Sequence, residues 1–209
     1  MMGLLFSFEG IDGAGKSTQA ALLSNWMKSR GIKHILTHEP GGTRLGKMVR
    51  SLLLSSDIAL EANAELLLLA ADRSQHVQEV IIPALTSGKV VITDRYADAT
   101  TAYQGYGRRI PMSFIEVIHQ IATAGVWPSK TFYLEIDVLT ARSRKCQASG
   151  SFDRLESEDI SFYERVRQGY WELAQKWPDR FVVIDALRTP QEVHEQVLSV
   201  VIPLVADVV

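Results

Sequence analysis

A chain of 209 residues with 46% hydrophobic and 22% charged side chains has room for one buried core and no bias toward disorder. Its formal charge of −2 argues against a nucleic-acid or membrane-surface partner, although local arginine clusters can still hold a small anion. The single Cys146 excludes an intrachain disulfide and suits a reducing, cytoplasmic compartment.

Residues 1–8 are apolar without a basic flank, so they read as a first strand and not as a signal peptide. They lead into Gly10-Ile11-Asp12-Gly13-Ala14-Gly15-Lys16-Ser17, which fits G-x-x-x-x-G-K-[ST]. Glycines in such a loop let successive backbone N–H groups curl around phosphate. Lys16 then reaches the β/γ-phosphates, and the Ser17 hydroxyl ligates Mg²⁺. Residues 17–30 read as a helix with Leu22, Leu23, Trp26 and Met27 on one face, so a helix dipole reinforces the anion site. The loop points to a bound nucleoside triphosphate.

Further along, residues 32–37, 90–94, 131–136 and 181–184 form short continuous apolar runs, the pattern of strands buried on both faces. Helical periodicity fills the gaps between them. Residues 66–71 are apolar on all sides and predict a central buried helix. Phe114, Ile115, Ile118, Ile121 and Ala122 mark one helix face after Pro111. Phe162, Tyr163, Val166, Tyr170, Leu173, Ala174 and Trp177 mark another, with Ser157 as its N-cap. Residues 145–151 lack periodicity and read as a mobile loop, and residues 197–209 as a final packed helix too short to span a membrane. The βαβα alternation predicts a single α/β domain over residues 1–209, a five-stranded parallel sheet flanked by helices.

In such a fold, ligands sit beyond the carboxyl ends of the strands. Glu39 follows the second strand, and Asp94-Arg95-Tyr96 closes the third. Arg73 follows the apolar run, and Arg50 lies on the helix after Glu39-Pro40-Gly41-Gly42-Thr43. These are positions from which a second, phosphate-bearing substrate could be held. Each also has a plainer reading: Asp94-Arg95 as a structural ion pair, Arg73 or Arg142-Ser143-Arg144-Lys145 as solvated helix surface, Tyr103 as packing. His34 and His38 share a strand face, but without neighbouring Cys or carboxylate they make a poor metal set.

The ordered set of motifs resembles the thymidylate kinase family. It comprises Phe8 to Thr18, Glu39 to Thr43, Ala70-Ala71-Asp72-Arg73, Asp94-Arg95-Tyr96, Ala102-Tyr103-Gln104-Gly105 and Phe152-Asp153-Arg154-Leu155-Glu156. The resemblance implies the three-layer fold of P-loop nucleoside-monophosphate kinases, ATP and dTMP as substrates, Mg²⁺, and a homodimer. By the same resemblance, Gly10, Ile11, Asp12, Gly13, Ala14, Gly15, Lys16, Ser17 and Thr18 bind ATP. Asp12 meets the acceptor sugar, Arg95 and Arg50 hold its phosphate, and Asp94 with Ser17 holds the metal. Arg73 and Gln104 read the thymine edge, Tyr103 lies beneath the deoxyribose, and Glu39, Leu69 and Thr100 complete the acceptor pocket.

Some family members carry Arg where this chain has Gly13. The resemblance therefore moves the catalytic charge to a basic lid at about 142–155, with Arg142 and Arg144 closing over ATP. Leu69 stands where Phe is common and Ala99 where Ser is common. A kinase for another nucleoside monophosphate or a deoxynucleoside, or a nucleotide-binding protein without turnover, are the competing expectations.

Overall fold

Strand and helix segments alternate along the chain as their periodicities require, and the computed structural model describes residues 3–55, 57–149 and 158–206. β1 (Leu5–Glu9) runs into the glycine loop that opens α1 (Lys16–Ser29). β2 (His34–His38) is followed by α2 (Arg44–Leu54) and α3 (Ala62–His76), which passes through a π-helical turn at Val77–Ile81 into α4 (Ile82–Thr86). After β3 (Val90–Asp94), a single turn α5 (Ala97–Thr100) continues as a second π-helical segment, Thr101–Gly107, before α6 (Met112–Thr123). β4 (Lys130–Glu135), α7 (Val138–Ser149), α8 (Ile160–Lys176), β5 (Phe181–Asp185) and α9 (Pro190–Ala206) complete the order.

The sheet order is β2-β3-β1-β4-β5 and every pairing is parallel. Register matters more for function than the order itself. Phe8 lies opposite Asp94, and His38 lies opposite Asp94 on the other side. The residues just past these positions, Glu9-Gly10, Arg95 and Glu39, are thereby gathered at one end of the sheet. Phe6, Phe8 and Phe132 pack with Leu23 and Met27 of α1 and Val197 and Val201 of α9 in the larger core, with Phe8 and Phe132 stacked at 5.2 Å. Leu5 and Val91 pack with Val77, Ile81 and Leu85 in a second cluster. Burying apolar surface on both faces of the central strands is the main stabilising contribution.

The predicted five-stranded parallel sheet and its helices are found, with several local differences. Central strands are buried on both faces, but β2 and β5 are edges, and Leu36 and Val183 are 48% and 39% exposed. The run 66–71 is not a buried helix. Leu66 is buried, yet Leu67 is 59% exposed, because α3 packs along one side only, against α2 and α6. On α6 the buried apolar residues are Ile115 and Ala122, beside His119 and Thr123, whereas Phe114 and Ile121 face outward. Residues 145–149 belong to α7 and are not a loop, since Lys145, Gln147 and Ala148 are good helix formers and no breaker precedes Gly150; Gly150 and Ser151 lie outside the described residues. The cap of α8 is Asp159, which accepts from the Phe162 N–H at 2.7 Å. Ser157, the Phe152 to Glu156 motif with Arg154, and Asp207 lie outside the described residues. Among the described residues no helix is long and apolar enough to cross a membrane.

Candidate active site

The glycine loop forms the floor of a cleft of about 930 Å³ at the carboxyl end of the sheet. Gly15 occupies the N-cap of α1 at φ 95° and offers no side chain to its first N–H groups, which leaves them free for an anion. Lys16 lies back over the loop and donates to the Ile11 carbonyl at 2.9 Å, with Asp12 at 3.6 Å. Burial, reinforced by Arg95, lowers its pKa against the pull of Asp12. Ser17 donates to the Asp94 carboxylate, so the two predicted metal residues face each other directly.

Gly13 has a second reason to lack a side chain. Its φ is 90°, and a Cβ there would come within 2.1 Å of the Ala141 carbonyl oxygen. The backbone of α7 rests on the loop at this point.

Across the loop stands Arg95, whose φ of 71° is uncommon for a residue with a side chain. That conformation is pinned from three sides. Its N–H donates to the Phe8 carbonyl at 3.0 Å, its carbonyl accepts from Thr93 at 2.8 Å, and the next N–H, of Tyr96, donates to Glu9 at 2.7 Å. The guanidinium then reaches Asp12 at 2.6 Å and the Tyr103 hydroxyl at 3.0 Å, lying over the Tyr103 ring. Burial would raise the Asp12 pKa, but Arg95 and Lys16 override it and hold the carboxylate well below its usual range.

Arg73 is fixed more tightly. It donates to Glu39 at 2.8 Å, Thr100 at 2.7 Å and the Tyr96 carbonyl at 3.0 Å. Glu39 also meets His76 at 2.8 Å, and His76 in turn meets Thr37 at 2.7 Å. Burial opposes the Glu39 charge, yet Arg73 and His76 keep its pKa below the ordinary value. Glu39 therefore orients Arg73. Arg50 donates to the Pro40 carbonyl at 3.1 Å and, with Leu69, Thr100, Tyr103 and Gln104, lines the same cleft.

Of the two predicted lid arginines only Arg144 lines this cleft, donating to the Ala186 carbonyl at 2.8 Å. Arg142 lies beside the loop in a small separate void and donates to the Glu158 carbonyl at 3.2 Å. Lys145, Ala186, Arg188 and Pro190 also line the cleft and carried no individual assignment from sequence. The strand-end rule could have found the last three, because they follow β5. Glu65 and Arg108, which hold Gln104 from behind, carry no local signal at all, whereas Glu9 closes β1 and could have been found by the same rule.

Comparison with known proteins agrees with this geometry. Residues 8–197 match the thymidylate kinase family. A thymidylate kinase of Halothermothrix orenii is 46% identical, with 94% of this chain and 95% of that protein covered. One of Nostoc punctiforme is 45% identical, with 96% of each chain covered. The crystal structure of thymidylate kinase from Ehrlichia chaffeensis superposes with a TM-score of 0.78 at 35% identity, over 96% of this chain and 99% of the other. On these grounds, and on a site with a phosphate loop at one end and an arginine-lined pocket at the other, the chain belongs to the thymidylate kinase family.

Proposed function

We propose that the enzyme transfers the γ-phosphoryl group of ATP to dTMP, giving dTDP and ADP. The observation that carries this reading is Arg95 poised between the phosphate loop and Tyr103, where an acceptor phosphate would meet the donor's terminal phosphate. The second pKa of a phosphate monoester is near 6, so the attacking oxygen of dTMP is already ionised at neutral pH. No general base is required, and Asp12, held strongly ionised, is poorly suited to be one. What the reaction needs is alignment of two polyanions and compensation of charge on the phosphoryl group in flight.

Loop N–H groups and Lys16 hold the donor phosphates. Arg95 and Arg50 hold the acceptor phosphate, and Asp12 with Tyr103 fixes the deoxyribose. Arg73, Gln104, Thr100 and Leu69 receive the base. Arg144 approaches from α7 to stabilise the charge shared between the substrates, with Arg142 anchoring the start of α8. Ser17 and Asp94 suit Mg²⁺, which commonly takes few protein ligands beside substrate phosphates and supplies neutralisation of their charge.

We infer a homodimer through α2, α3 and α6, where Met48, Leu67, Phe114, Val117 and Ile121 are exposed apolar residues on helices packed side by side. Light scattering should give twice the 23.3 kDa chain mass, and Leu67→Glu with Phe114→Glu should give the monomer. A panel of acceptors with ATP and Mg²⁺ tests the reaction itself. dTMP should be preferred clearly over dCMP, dGMP and thymidine. Equal use of dCMP would overturn the assignment.

A further inference from the structure

Gln104 lines the cleft and is 2% exposed, but its two ends are treated differently. The amide nitrogen donates to Glu65 Oε1 at 2.8 Å, while the amide oxygen is buried without a hydrogen-bond partner. An amide group can turn over, so something must decide which end is presented. A carboxylate only accepts hydrogen bonds, so the end facing Glu65 must be nitrogen. Glu65 is itself fully buried and cannot rotate away, since Arg108 donates to both of its oxygens at 3.1 Å. Gln104 and Arg108 are brought to the same carboxylate by the π-helical turn between them, closed by the Arg108 N–H on the Tyr103 carbonyl at 2.8 Å.

We propose that Glu65 is a specificity-determining positioning residue: it holds the nitrogen of Gln104 so that the oxygen meets the acceptor base. The chemistry selected follows directly. Thymine and uracil carry an N–H at the middle of the pairing edge, flanked by carbonyls. Cytosine carries a lone pair there, beside an amino group. A buried carbonyl oxygen is satisfied by the first and left facing a lone pair by the second, which is how polar pockets reject near-isosteres. Arg73, eight residues along α3, adds donors that suit the 4-carbonyl and oppose the 4-amino group. This inference rests on Gln104 reading the base, as proposed above.

The test is the ratio of kcat/KM for dTMP to that for dCMP. Glu65→Met should lower the ratio by about tenfold or more, since Gln104 is then free to present either end. Glu65→Met combined with Arg108→Met should do the same without leaving the half-buried Arg108 guanidinium short of one of its carboxylate partners, which guards against simple misfolding. Loss of packing alone would reduce both substrates together and leave the ratio unchanged; that result in a folded variant overturns the proposal. Gln104→Ala separates the two readings. A ratio unchanged in Gln104→Ala means Gln104 does not read the base. A ratio that collapses there but survives both Glu65 variants rejects only the role of Glu65.

Discussion

The Arg95 guanidinium lies 2.6 Å from Asp12, joining the turn after β3 to the phosphate loop in the middle of the cleft. Its usefulness comes from shape as well as charge, because one terminal nitrogen serves Asp12 and the Tyr103 hydroxyl while the other donates to the Gly10 carbonyl at 3.3 Å. A lysine cannot reproduce a planar fork at that distance. Arg95→Lys should therefore lower kcat by about 10²-fold or more while the fold melts as usual. Steady-state rates alongside thermal denaturation check this, and near-normal turnover would remove Arg95 from the proposed machinery.

The lid arginines should not be equivalent. Arg144 reaches the cleft, whereas Arg142 lies outside it beside Glu158. We expect Arg144→Ala to cut kcat by about 10³, the size of a full arginine-finger effect. Arg142→Ala should cost distinctly less. Single-turnover rates separate the two, and equal losses would mean that both arginines act on the phosphoryl group.

Glu9 links chemistry to stability. Its carboxyl is fully buried, accepting from the Tyr96 N–H at 2.7 Å and the Tyr170 hydroxyl at 2.8 Å. Burial, with the Asp98 carboxylate nearby, pushes its pKa from the ordinary 4.5 up to about 8. Between those values the fold binds a proton that the unfolded chain has released, so this group's contribution to stability is lost as pH rises through the window. Glu9→Gln mimics the protonated form at every pH. Relative to that variant, the wild type should lose melting temperature as pH goes from about 5 to about 8.5. Parallel melting curves would contradict the assignment. Tyr170→Phe, which strips one partner from the same carboxyl, should cost about 1–3 kcal/mol.

Gly13→Ala tests the contact between loop and lid. The added methyl must displace the Ala141 carbonyl and adopt a left-handed backbone as well. Turnover should fall steeply through a displaced Arg144, with dTMP affinity much less affected. Comparing kcat with calorimetric dTMP binding reads this out, and a matching loss in both would point to collapse of the whole loop instead.

How much of this was legible in the sequence depends on how local each feature is. The phosphate loop was readable because its parts are contiguous, and Asp94, Arg95 and Glu39 because strand ends face the ligand in any such sheet. Arg73 lines the cleft, but its hold on Glu39 spans 34 residues and has no local signature. The same is true of Glu65 and Gln104, 39 residues apart. Residues 66–71 differ from the expectation because α3 packs along one side only, against α2 and α6, and leaves Leu67 59% exposed. Residues 145–149 misled because a helix without an apolar stripe still forms from good helix formers next to a packed neighbour.

The π-helical segment Thr101–Gly107 sets a further constraint, on length instead of composition. Removing one residue between Gln104 and Arg108 would tighten the segment toward an ordinary helix and bring Arg108 three positions after Gln104 instead of four, shifting where each side chain approaches Glu65. Gln104 and Arg108 could then no longer share one carboxylate. Substitutions in this stretch should be tolerated where they respect its packing, as Gly105 against Met112 and Gly107 against Phe162 require, whereas single insertions and deletions should not. A library of one-residue indels across Thr101–Gly107 ought to be nearly barren, beside a far more permissive library of point changes.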